Sequence, residues 1–82
     1  MLTQSQAREL VGRSVRRIVP DADIAGTAGD DDLRQAFELD SLDFLGLVEI
    51  LSAEAGVRIE EDDYPDLATL DAAAAFLSAR AG

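Results

Sequence analysis

A chain of 82 residues buries only roughly 60–65% of the surface its unfolded form exposes, so it can build one modest core and no large internal active site. Seven arginines, no lysine and seventeen acids give a net charge of −10, which excludes a binder of nucleic acids or anionic membranes, because affinity for phosphate backbones comes from neutralising them with cations. With neither cysteine nor histidine, disulfides, zinc sites, catalytic thiols and imidazole bases are ruled out. Hydrophobic residues make up 48% and charged residues 29%, a composition that folds despite its acidic runs.

Thr3 followed by Gln6 forms a capping-box start. Ala7, Leu10, Val11, Val15 and Ile18 then recur at spacings of three and four, and Pro20 disfavours helix at Val19, so a first helix is predicted from about Gln4 to Ile18. Residues 20–32 are rich in turn formers and lack periodicity; they read as a long connector that Ile24 and Leu33 pin to the core. Asp40 sits where an N-cap belongs, with Asp43 in the first turn, and predicts a second helix from Ser41 to Glu54 or Ala55, closed by Gly56 in the left-handed conformation. Its core face is Phe44, Leu47, Val48, Leu51 and Ala55. Leu42 and Leu45 lie on a neighbouring face with Gly46 and Glu49, where they would be partly covered.

Beyond Gly56, Val57 and Ile59 alternate with Arg58 and can enter the core from an extended link. A short helical turn is expected from Glu60 to Tyr64, ending near Pro65. Thr69 reads as the N-cap of a last helix, Leu70 to about Arg80, with Leu70, Ala73, Ala74 and Leu77 inward and Phe76 at its edge. The pattern predicts a small all-α bundle of three longer helices and one short one, in a single domain spanning 1–82.

The charge is polarised along the chain. Residues 1–20 carry four arginines against one acid, a net +3, and residues 21–82 carry three arginines against sixteen acids, a net −13. Such a surface steers basic partners towards it, faster at low salt. The segment Met1-Leu2-Thr3-Gln4-Ser5 lacks a basic region followed by an apolar one, and no apolar run is long enough to cross a bilayer. The expectation is a cytoplasmic, soluble monomer with no membrane or nucleic-acid partner.

The segment with chemical potential is Glu38-Leu39-Asp40-Ser41-Leu42-Asp43. A serine in the first turn of a helix points its hydroxyl outward, beside unpaired N–H groups and the positive end of the helix dipole, which suits a phosphoester. It does not suit a nucleophilic catalytic serine, because no His or Lys exists to take its proton. The bland alternative is an ordinary helix-start serine with Asp40 as its cap, and for Leu42 and Leu45 it is partial burial against the first loop.

With Asp40-Ser41-Leu42-Asp43 in place, Gly56 closing the second helix, Val57 and Ile59 in the link and Leu67-Ala68-Thr69 leading into the last helix, the chain resembles the acyl carrier protein family over nearly its whole length. The resemblance implies a four-helix carrier bundle with a long first loop and a short third helix, and no catalysis of its own. It implies that Ser41 receives 4′-phosphopantetheine from coenzyme A through a separate, Mg²⁺-dependent phosphopantetheinyl transferase. The arm's thiol would carry acyl groups as thioesters between acyl-loading and acyl-processing enzymes of a fatty-acid, polyketide or specialised acyl pathway. Asp40 would fix the helix start and contact the transferase, Leu42 and Leu45 would be apolar docking contacts beside the arm, and Asp43, Glu49 and Glu54 would present negative charge to basic partner patches. An apolar chain would tuck between helices near Val48, Leu51, Ile59 and Phe76.

Two positions depart from the family's usual pattern: Glu38 stands where it has Gly, and Gly46 where it has Glu. Both suggest a dedicated carrier rather than one for ordinary fatty-acid synthesis. A peptidyl or aryl carrier is the neighbouring reading, although the acidity favours an acyl carrier. In a different class, residues 21–32 partly follow a calcium-binding loop, with Asp21, Asp23, Gly26 and Asp32 at positions one, three, six and twelve. Ala25 offers no ligand oxygen at position five, and Asp32 is shorter than the usual bidentate Glu. The acids Glu60, Glu61, Asp62, Asp63 and Asp66 read as a solvated face.

Overall fold

The computed structural model describes residues 2–81; Met1 and Gly82, the outermost positions of the expected 1–82 unit, lie outside the described residues. The elements in chain order are α1 (Gln4–Ile18), α2 (Leu33–Ala36), α3 (Ser41–Ala55), a 3-10 helix (Glu61–Leu67) and α4 (Leu70–Ala81). Helix α1 packs against both α3 and α4, and the 3-10 helix packs against α4, giving the expected small all-α bundle, about 29 × 24 × 19 Å.

Helix α1 starts as its sequence requires. The Thr3 hydroxyl accepts from the Gln6 N–H at 3.1 Å, and the Gln6 side chain accepts from the Thr3 N–H at 2.9 Å. Ala7, Leu10, Val11 and Val15 are buried, with Ile18 half-buried at the end of the stripe. The buried Ser14 is satisfied within its own helix, donating to the Leu10 carbonyl at 2.8 Å. Gly12 lets the connector approach closely: a Cβ there would stand 3.1 Å from Ile24 Cγ2. Ile24 packs on the core from this side and Leu33 is fully buried, so both anchor the connector as expected.

The connector is not irregular throughout. Asp32 accepts from the Arg34 and Gln35 N–H groups at 2.9 and 3.2 Å and starts α2, a single turn that brings Leu33 inward. One turn carries too little periodicity to stand out in a sequence. Two backbone bonds tie this segment to the start of α4: the Leu33 N–H donates to the Ala68 carbonyl at 2.8 Å and the Asp71 N–H to the Gly29 carbonyl at 2.9 Å. The second satisfies a first-turn N–H that α4 could not satisfy itself. Next to it, the Ala72 N–H donates to the Thr69 hydroxyl at 3.0 Å, as expected of an N-cap. Arg8 pairs with the Asp71 carboxylate, linking α1 to the same point.

The short helix between α3 and α4 runs from Glu61 to Leu67, through Pro65 instead of ending there as expected from the sequence. Proline's fixed φ is compatible with 3-10 geometry, and continuing the turn buries Leu67 to 1% exposure. Tyr64 meets Phe44 edge to face, with ring centroids 5.6 Å apart at 78°. Phe76, beside the inward stripe of α4, is buried too, roofed by the Arg80 guanidinium 4.6 Å above its ring. Because Leu67 seats a helix that has little other apolar burial, Leu67→Ala should cost about 2–5 kcal/mol. A lower urea midpoint measures the loss; a change under about 1 kcal/mol would show that the 3-10 helix is held by other contacts.

Candidate functional site

The start of α3 is built from its two flanks. Asp40 Oδ1 accepts from the Asp43 N–H at 2.8 Å, and the Asp43 carboxylate accepts from the Asp40 N–H at 3.4 Å, a reciprocal cap worth about 1 kcal/mol. Leu39, just before the cap, and Phe44, in the next turn, are both buried in the core. They occupy the two positions of a hydrophobic staple, which fixes the angle at which the chain enters a helix. Ser41 is therefore the first residue of a helix whose entry is fixed, with its own side chain exposed.

Upstream of the cap, the Leu39 N–H donates to the Arg34 carbonyl at 2.8 Å and the Phe37 N–H to the Leu33 carbonyl at 3.1 Å, which closes α2. That closure puts Glu38 at φ 55°. Left-handed backbone there is ordinary after a helix and favours glycine, so the position where the resembled family has Gly is one this chain fills at the cost of strain. Gly56 takes the same conformation, φ 65°, to close α3 as expected.

The expected docking residues fall together on α3. Leu42 is 77% and Leu45 41% exposed, so Leu42 stands largely in solvent and Leu45 is partly covered. Glu49 continues the same face, four residues after Leu45 and seven after Leu42, and is exposed. Asp40 is exposed and Asp43 half-buried at the helix start. Glu54 differs, because it pairs with Arg17 of α1 at 3.2 Å and so presents less free charge than expected.

The expected place for an apolar chain is already filled. Val48, Leu51 and Phe76 are buried members of the core with Ile59 packed against them, so such a chain would have to displace side chains. Two clefts are instead lined by residues of α2 and its cap. One of about 290 Å³ is lined by Asp32, Arg34, Phe44, Tyr64, Pro65 and Ala68. The calcium-loop alternative is not assembled: Asp23 and Asp31 accept from the Gly26 and Ala28 N–H groups within their own turns, and Asp32 caps α2. Among the described residues no three acids are gathered as a metal site.

Sequence reasoning missed one neighbour of Ser41. Arg34 reaches from α2, its guanidinium Nη2 donating to Ser41 Oγ at 3.5 Å and its Cζ 5.8 Å from the centre of the Phe44 ring. A spacing of seven residues across a turn gives no signal for this contact.

The sequence model of the family described as phosphopantetheine attachment site matches residues 5–77. The chain belongs to this family, and its prosthetic group is covalently attached 4′-phosphopantetheine. No curated protein and no solved structure matches significantly. Domains of the family are generally carriers without turnover of their own, working with a phosphopantetheinyl transferase and the enzymes of a pathway. Among the described residues no helix is long and apolar enough to cross a membrane.

The strain at Glu38 is directly measurable. Relief of a left-handed non-glycine residue, less the added freedom of glycine in the unfolded chain, should make Glu38→Gly more stable by about 0.5–1 kcal/mol. Urea unfolding checks this, and a destabilised variant would show that the Glu38 side chain contributes more than its backbone costs.

Proposed function

We propose that Ser41 is the attachment residue and that the protein carries acyl groups between enzymes of a fatty-acid, polyketide or specialised acyl pathway. The observation that carries the assignment is the exposed Ser41 side chain at the first position of α3, beside the exposed Leu42 and Leu45. The site suits the group: a phosphoester on this hydroxyl projects into solvent, lies at the positive end of a helix and displaces no core side chain. When attached, the group supplies the thiol that the cysteine-free chain lacks. The chain's own part is presentation. The cap of Asp40 and Asp43 fixes the helix start, Leu42 and Leu45 offer an apolar contact to each incoming enzyme, and Asp40, Asp43 and Glu49 ring that contact with negative charge for basic partner patches.

Incubation with coenzyme A and a broad-specificity phosphopantetheinyl transferase should add one phosphopantetheine per chain by mass spectrometry, and Ser41→Ala should take up none. Addition that persists in Ser41→Ala would place the attachment elsewhere.

Gly46 and Glu38 lie on the proposed docking side of the molecule, and support a carrier dedicated to one pathway. A Cβ at Gly46 meets only Ile18 Cδ1 at 3.6 Å, an ordinary contact, so a side chain can start there without moving the backbone. Gly46→Glu should leave the fold intact and accelerate association with general fatty-acid enzymes, with a rate that falls as salt rises. An unchanged or slower association rate would refute this account of the missing charge.

A further inference from the structure

We infer that Arg34 is the counter-charge of the phosphodiester on Ser41 and sets the direction in which the arm leaves the protein; the inference rests on the assignment of Ser41 above. Four of the seven arginines, Arg8, Arg17, Arg58 and Arg80, pair with carboxylates. Arg34 has no such pair among the described residues, although it stands in the acidic part of the chain with Glu38, Asp40 and Asp43 close by in sequence. Its guanidinium is directed instead at Ser41 Oγ, 3.5 Å away, and leans over the Phe44 ring.

The position of the guanidinium is set by the fold. Asp32 caps the turn from which Arg34 projects, the preceding Leu33 is buried in the core, and the Leu39 N–H bond to the Arg34 carbonyl fixes the Arg34 backbone. A phosphodiester on Oγ would place another negative charge between Asp40 and Asp43. Arg34, whose Nη2 lies 3.5 Å from that oxygen, offsets the repulsion through a charge-assisted hydrogen bond, and guanidinium geometry matches two phosphate oxygens at once. Arg34 also lines the cleft shared with Phe44, Tyr64 and Pro65, so pairing with it draws the base of the arm to the α2 side of Ser41, away from Leu42 and Leu45. Arg34 is thus a positioning residue that leaves the apolar docking contact uncovered.

The test uses full-length wild type, Arg34→Gln and Arg34→Lys, each loaded from coenzyme A and checked by mass. Phosphorus NMR of the loaded proteins should show a wild-type resonance shifted from that of Arg34→Gln, with added salt moving the wild-type signal towards it and Arg34→Lys lying between the two. Identical resonances in wild type and Arg34→Gln would overturn the inference while leaving Ser41 as the attachment site; failure of wild type to gain the mass would overturn both. A reading on wild type alone, independent of how well the transferase accepts the variants, is the guanidinium NMR signal of Arg34 before and after loading. It should shift on loading, and an unmoved signal would sink the pairing.

Discussion

The position of Ser41 depends on the burial of the apolar side chains on either side of its cap. The Asp40–Asp43 box is worth about 1 kcal/mol, too little to hold a helix start against the pull of a long loop. Leu39 and Phe44 are each under a tenth exposed, and burying two such side chains contributes about 3–6 kcal/mol. The polar cap chooses the residue at which α3 begins, and the apolar pair keeps that choice from slipping. Leu39 can reach the core only because the backbone turns left-handed at Glu38, so the strain there and the order at Ser41 are parts of one arrangement.

The same economy explains why the long connector is fixed rather than loose. A chain this small has no second core to seat it, yet Ala22 and Leu33 are buried, Ile24 packs over Gly12, and backbone bonds join residues 29 and 33 to 71 and 68. The connector closes the N-terminus of α4 while α4 anchors the connector. Among the described residues the large apolar side chains left exposed are Leu42 and Leu45, in a place where covering them would remove the contact proposed for partner enzymes. Negative charge surrounds that place, and the basic residues of α1 are partly spent on internal pairs with Asp71 and Glu54.

Elements set by neighbours along the chain are legible in the amino-acid sequence alone. The Thr3–Gln6 box, the Asp40 and Thr69 caps and the left-handed Gly56 are local signals, and α1 and α3 begin and end where those signals place them. That Ser41 stands exposed at the first position of α3 is legible too, because a helix periodicity says which side chains the core takes and which it leaves. What escapes such reading is set at long range. Helix α2 exists because Leu33 is buried and bonded to residue 68; the 3-10 helix passes Pro65 because Leu67 and Tyr64 find partners elsewhere. Arg34 finds Ser41 across a turn whose geometry no spacing reveals.

The Ser78 hydroxyl donates to the Leu2 carbonyl at 3.0 Å, which brings the beginning of α1 and the last turns of α4 side by side. Topologically the molecule is close to a ring. A short bridge across that gap, with the backbone opened in the exposed stretch around Ala25 and Gly26, would reorder the chain without cutting a helix. Tension applied through flanking polypeptide would likewise enter and leave at this one seam instead of running through the bundle.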